Sequence, residues 1–295
     1  MAVSEIELDA AGLMLSARLA RAEGPPRATV LALPGGGYLS SYWDHPIDKN
    51  GSLLGLGSML GYNVIAIDRP GYGRSAGLAD DQQWLQPQAE RLAQLVNDLE
   101  KTVDVGTGVF LVGHSMGGIL SLMIASLQRT PTLLGVDVSG VPRRFTDVMK
   151  EAVRASLEQL RRAPVIATAE EKAPLFYGPE GSYDPRTVKC EAAWSATCPP
   201  NEMEDGTLNW PDRFADVAAR IQVPVQYTLG EFESVTDNSL DALAATAKEF
   251  TASPRVVVHR QALSSHNISL HHVARAFHLR AFAFFDEALV AKAMP

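Results

Sequence analysis

The sequence predicts an α/β fold: a mostly parallel central sheet flanked by helices, with a helical segment inserted between two of its strands. Three observations carry this reading. Near-continuous apolar runs recur at 28–33, 64–67, 109–112 and 133–138, as expected of strands buried on both faces. Helical stretches at 52–60, 84–101 and 116–128 alternate with them. That rhythm stops after Gly140 and resumes near Pro224, so the intervening residues form an insertion.

The elements follow in order. Residues 3–8 and 13–19 alternate apolar and polar around the turn Ala10-Ala11-Gly12, which predicts a hairpin. A loop at Glu23-Gly24-Pro25-Pro26 leads into the first buried strand, closed by Pro34-Gly35-Gly36-Gly37. The insertion opens with an amphipathic helix at 146–162. It continues through turn signals at Phe176-Tyr177-Gly178-Pro179, Tyr183-Asp184-Pro185 and Cys198-Pro199-Pro200. Beyond it come a strand at 223–229, a helix at 240–250, a strand at 255–259 and a closing helix at 270–291. Residues 1–140 and 222–295 thus form one predicted domain, and 141–221 a cap.

Composition narrows the function. The chain has 295 residues, 46% of them hydrophobic and 20% charged, the balance of a soluble globular protein able to bury a core without staples. Its 26 Lys+Arg against 34 Asp+Glu give a net charge of −8, which argues against nucleic acid as a partner. Cys190 and Cys198 cannot supply a metal site or a disulfide framework alone; they could pair, but two ordinary thiols is the simpler reading. Residues 1–9 are acidic and alternating, unlike a signal peptide. The stretch 105–128 lacks Asp, Glu, Lys and Arg, yet its five glycines and His114 fit a buried strand running into a buried helix better than a membrane span. The expectation is a cytoplasmic protein without membrane insertion, its oligomeric state left open, a homodimer included.

The chemistry centres on Gly113-His114-Ser115-Met116-Gly117, a G-x-S-x-G sequence that follows a strand and opens a helix. A turn this tight strains the serine backbone, needs tiny neighbours two residues away, and lifts the hydroxyl above the sheet edge. The helix starting there points backbone N–H groups at an anion formed beside the serine. A serine needs a base. Among His259, His266, His271, His272 and His278, the last three fall in the predicted closing helix and His259 ends a strand. His266, in the loop Leu263-Ser264-Ser265-His266-Asn267, is the choice. The acid is expected after the preceding strand, in Gly230-Glu231-Phe232-Glu233-Ser234, where Glu233 lies further into the loop than Glu231. Asp137, at the end of the strand before the insertion, is the rival acid. The Pro34-Gly35-Gly36-Gly37-Tyr38 loop suits a second backbone donor, with Gly36 and Met116 N–H as the expected pair.

These residues resemble the α/β-hydrolase-fold serine hydrolases over about 28–142 and from 223 onward. The likeness rests on Gly113-His114-Ser115-Met116-Gly117-Gly118, Pro34-Gly35-Gly36, Asp68-Arg69-Pro70-Gly71-Tyr72-Gly73-Arg74-Ser75, Gly230-Glu231-Phe232-Glu233 and Ser265-His266-Asn267. It implies that Asp68 and Arg74 are scaffold. The chain departs from the family in having Pro34-Gly35 where His-Gly is frequent, and Glu233 where Asp is common.

The resemblance implies an esterase or thioesterase acting through an acyl-enzyme on Ser115, with Glu233 and His266 as partners and no metal or organic cofactor. The partner is then a small-molecule acyl substrate, expected between the loop of Tyr38, Tyr42 and Trp43 and the cap aromatics Phe176, Tyr177, Tyr183 and Trp194, which equally suit a cap core. Two alternatives use the same residues differently. An acyltransferase or cyclase would pass the acyl group to another nucleophile, and a ligand-binding protein would retain the fold without turnover.

Overall fold

The computed structural model describes residues 2–45, 47–127, 130–163 and 168–294. Eight strands form one sheet: β1 (Val3–Ala10), β2 (Leu13–Ala20), β3 (Thr29–Leu33), β4 (Asn63–Ile67), β5 (Val109–His114), β6 (Leu133–Ser139), β7 (Val225–Gly230) and β8 (Val256–Gln261). Their order is β1-β2-β4-β3-β5-β6-β7-β8. The predicted hairpin pairs Val3 with Ala20 and Ala10 with Leu13, and β2 runs antiparallel to β4. Every other pairing is parallel.

Helices cover both faces: α1 (Leu53–Met59), α2 (Leu85–Asp98), α3 (Met116–Ser126), α4 (Asp147–Arg162), α5 (Ala169–Phe176), α6 (Pro185–Lys189), α7 (Pro200–Glu204), α8 (Trp210–Ala219), α9 (Leu240–Ala247) and α10 (Ala274–Ala293). The pleat divides each central strand between two apolar layers. Leu31 and Leu33 join Leu92 and Val96 of α2, Ile119 and Leu122 of α3 and Phe214 of α8. Val30 and Ala32 face the other way, into Leu53 and Leu56 of α1 and Phe282 and Phe285 of α10. Phe110 of β5 stacks on Phe285 with ring centroids 4.3 Å apart. Double-sided burial is why these strands read as apolar runs rather than alternating ones.

Described residues between β6 and β7 pair with the loops that follow the carboxyl ends of β3, β7 and β8. Isolated bridges tie Tyr38 to Ser195, Phe145 to Thr236 and Tyr183 to His271. This segment is more helical than its turn signals suggest, for a local reason. Proline occupies the first turn of α6, α7 and α8, where its missing N–H costs no hydrogen bond. The closing helix also differs from expectation, since it begins at Ala274 rather than 270. Residues Ile268–Leu270 form a separate turn and His271 is extended, so His271 and His272 precede the helix. Residue 128, at the end of the helix expected at 116–128, lies outside the described residues. Cys190 and Cys198 are free thiols, the first exposed and the second buried. Among the described residues, no helix is long and apolar enough to cross a membrane.

Candidate active site

Ser115 joins β5 to α3 with φ +50° and ψ −117°, a backbone conformation that L residues rarely adopt. Such a residue stores about 1–3 kcal/mol of strain and persists only where its surroundings hold it. Ser115 N–H donates to Ser139 O at 2.8 Å, and its carbonyl accepts from Ile119 N–H at 2.9 Å. The flanking glycines are steric requirements. A Cβ on Gly113 would lie 2.5 Å from Gly117 O, and one on Gly117 2.2 Å from Leu33 O. His114, Met116 and Gly117 are buried, whereas Ser115 is only half-buried. The turn therefore presents its serine.

His266 Nδ1 lies 2.9 Å from Glu233 Oε2, both side chains buried. The other carboxylate oxygen accepts from Ser234 N–H at 3.0 Å and Val235 N–H at 3.1 Å, which fixes its orientation. With Nδ1 engaged, Nε2 is the nitrogen left for chemistry. The ring lies 4.8 Å from the His114 ring, and a Cβ on Gly140 would touch both imidazoles at 3.0 Å. The Ser115 hydroxyl makes no hydrogen bond to His266 or to any other described residue. Glu231 turns elsewhere and accepts from Leu263 N–H at 2.9 Å. His259 Nε2 donates to Gln226 Oε1 at 3.2 Å.

Asp137 does not reach the imidazole. Gly140 abuts His266, and Asp137 sits three residues back along β6, about 10 Å down the strand. Its Oδ1 accepts from Gln226 Nε2 at 3.0 Å and its Oδ2 is buried without a partner among the described residues. Burial pushes its carboxyl up to about 7, against smaller opposing contributions from Gln226 and Arg280.

The loop after β3 folds over the elbow. A Cβ on Gly35 would meet Ser115 Cβ at 3.3 Å, and one on Gly36 would meet Met116 Cβ at 3.7 Å. Two loop N–H groups are engaged: Tyr38 N–H donates to Gly35 O at 3.2 Å and Gly37 N–H to Tyr72 OH at 3.0 Å. Gly36 N–H, like that of Met116, has no partner among the described residues. The expected aromatics are packed rather than open. Tyr38, Tyr42, Trp43, Tyr177 and Trp194 are all at most 3% exposed and share one core cluster. Phe176 is the aromatic that faces the imidazole, its ring 5.0 Å from that of His266.

Sequence reasoning passed over two supporting networks. His114 is stacked on Tyr42, its Nε2 3.1 Å from Asn267 Oδ1 and its Nδ1 3.3 Å from Ser139 Oγ. Asn267 Nδ2 donates in turn to Tyr38 OH at 2.9 Å, linking the histidine loop, the elbow and the glycine loop. Burial, with the neighbouring His266 second, holds the His114 imidazole well below its usual range, so it stays neutral. The second network runs from Arg69 to Glu202, both fully buried. Asp68 and Arg74 behave as scaffold: Asp68 accepts from Ser40 N–H and Ser16 Oγ, and Arg74 pairs with Glu7. Among the described residues, no group of three or more His, Cys, Asp or Glu could hold a metal ion.

A strained serine between a central parallel strand and a helix, with an acid–imidazole pair in the loops after the last two strands, defines a class of α/β proteins. The chain belongs to the alpha/beta hydrolase family, whose model matches residues 30–279. It is 32% identical over 106 residues to an esterase of Mycobacterium tuberculosis, an alignment spanning 36% of this chain and 30% of that protein. The chain thus matches less than a third of that relative's length. A carboxyl esterase from Bacillus coagulans superposes with a TM-score of 0.71 at 18% identity, covering 98% of this chain and 99% of the other. A thioesterase domain of the curacin biosynthetic pathway gives 0.65 at 18% identity, with 95% and 99% covered. At these identities the likeness to the two structures is one of fold.

Proposed function

We propose that the protein is a serine hydrolase that cleaves a carboxylic ester or thioester through an acyl-enzyme on Ser115. The observation that carries the reading is the strained Ser115 at +50°, next in the chain to His114, whose ring lies 4.8 Å from an imidazole that Glu233 holds through Nδ1 at 2.9 Å. His266 Nε2 takes the hydroxyl proton as Ser115 Oγ attacks the acyl carbonyl carbon. Glu233 fixes the tautomer and steadies the imidazolium that forms. The Gly36 and Met116 N–H groups receive the oxyanion, helped by the positive end of α3. Collapse of the tetrahedral intermediate expels the alcohol or thiol, which takes the proton from His266. Water activated by the same imidazole then releases the acid. No step needs a metal or organic cofactor.

Residues 141–221 act as a cap in this reading. Phe176 and Met116 meet the acyl group, while Tyr38, Tyr42, Trp43, Tyr177 and Trp194 form the packed wall behind them. The test is a fluorophosphonate probe together with a panel of acyl esters and thioesters, applied to wild type and Ser115→Ala. Labelling and turnover that vanish together in the variant support the proposal. Turnover that survives in Ser115→Ala overturns it.

A further inference from the structure

Arg69 and Glu202 form an ion pair with both side chains 0% exposed. Arg69 Nη1 donates to Glu202 Oε2 at 2.7 Å and Nη2 to Oε1 at 3.0 Å, a two-pronged contact. Glu202 also accepts from Tyr72 OH at 2.6 Å, Gln88 Nε2 at 3.1 Å and Cys198 Sγ at 3.6 Å. Burial acts most strongly, against the guanidinium charge, but Glu202, Tyr72 and Cys198 together outweigh it and raise the Arg69 pKa. A buried pair of this kind adds little stability over well-packed apolar residues of similar volume. What it does fix is geometry.

The rest of the guanidinium shows which geometry. Arg69 Nε donates to Pro34 O at 2.7 Å, and Nη2 also donates to Gly35 O at 3.0 Å. Both carbonyls belong to the glycine loop over the elbow. In a planar trans peptide the C=O of one residue and the N–H of the next point in opposite directions. Drawing the Gly35 carbonyl toward Arg69 therefore turns the Gly36 N–H away from Arg69. Tyr72 contributes from the same side: its hydroxyl accepts from Gly37 N–H while donating to Glu202, and Arg69 lies 4.6 Å over its ring. That engages the neighbouring N–H and leaves Gly36's free.

We propose that Arg69 and Glu202 are positioning residues, a clamp through which the cap supplies the carboxylate that holds Arg69 on the glycine loop and so aims Gly36 N–H at the oxyanion. The proposal rests on the serine-hydrolase reading. It adds that the cap sets the transition-state donor as well as covering the substrate. Arg69 comes from the turn after β4 and Glu202 from α7, so neither domain builds the donor alone.

The test compares wild type with the double variant Arg69→Met/Glu202→Met and with Arg69→Lys. The double variant removes both charges together, so it is expected to fold, with Tm within about 5 °C of wild type. It should lose roughly 10- to 100-fold in kcat, because removing an oxyanion donor outright costs about 10²- to 10³-fold and a displaced one keeps part of its effect. KM should stay within about threefold, and the pH midpoint of kcat/KM should not move, since His266 and Glu233 are untouched. An alkyl boronic acid, which mimics the tetrahedral adduct, should bind weaker by the factor lost in kcat. Inhibition by the product carboxylic acid should be unchanged. Arg69→Lys keeps the charge but lacks the fork, and should show the same split with a smaller loss, about 3- to 10-fold.

Wild-type kcat in a folded double variant overturns the clamp, as does parallel loss of kcat, product binding and Tm. If the double variant does not fold, Arg69→Lys decides the matter by the same split. Wild-type protein that fails to label at Ser115 removes the serine-hydrolase reading and the clamp together, whereas normal labelling with unchanged Arg69 and Glu202 variants removes only the clamp.

Discussion

Asp137→Asn separates a structural carboxyl from a catalytic one. The Asp137 side chain is 1% exposed, with one oxygen lacking a partner among the described residues and the other bonded to Gln226, which bridges to His259. Its pKa is pushed up to about 7, mainly by burial, from an ordinary carboxyl value near 3.8. The sign follows from proton counting. Between pH 4 and 7 the unfolded chain has released this proton and the folded chain keeps it, so stability falls as pH rises. Three units at 1.36 kcal/mol each set an upper bound of about 4 kcal/mol lost by pH 8. Asp137→Asn keeps the shape and cannot ionise. Urea denaturation at pH 5 and pH 8 should give a variant more stable than wild type by up to about 1.6 kcal/mol at the lower pH and up to about 4 kcal/mol at the higher. Its turnover should stay within about tenfold, because Asp137 sits about 10 Å down β6 from Gly140, the residue that abuts the imidazole. An inactive variant, or a pH dependence identical to that of wild type, would refute this account.

Other outcomes follow from the same geometry. Ser115→Ala should lower kcat by about 10⁴ to 10⁶ with substrate affinity retained, read by steady-state kinetics and an unchanged melting curve. Glu233→Gln should cost on the order of 10⁴ in kcat and slow fluorophosphonate labelling of Ser115, and near-wild-type rates would exclude it as the orienting acid. Phe176→Ala should shift relative kcat/KM among acyl chain lengths and spare the shortest ester, because its ring lies 5.0 Å from His266. Trp194→Ala should act on folding instead: its side chain is 1% exposed, so about 3–5 kcal/mol should be lost in denaturant titration, with relative kcat/KM across the ester panel retained.

What the sequence reveals about this molecule depends on how local each constraint is. The sheet is legible because burial on both faces of β3 to β6 writes itself into near-continuous apolar residues. The elbow is legible because its constraint spans five residues: Gly113 and Gly117 are small since each sits against backbone of the same turn or of the next strand. His266 and Glu233 can be found from chain order, as each follows a strand. Reach is harder to read. Asp137 and Glu233 both lie on or after sheet strands, and only the register, with Gly140 rather than Asp137 beside His266, decides between them. The aromatics are harder still, because a pocket wall and a core wall draw on the same residues. Trp43 and Trp194 are apolar enough for either, and it is their burial that makes them packing. His271 shows the limit for a single residue. Placed by periodicity in the closing helix, it instead accepts from Ser265 N–H at 3.0 Å through Nε2. Burial lowers it to about 3, so it remains a neutral acceptor supporting the loop that carries His266. Arg69 and Glu202 stand 133 positions apart, and Glu202 is one of three acids within four residues. Nothing nearby in the chain marks which of them meets Arg69. The parts of the site that depend on backbone sterics are therefore written in short motifs. The parts that depend on buried charge become visible only once the fold brings the partners together.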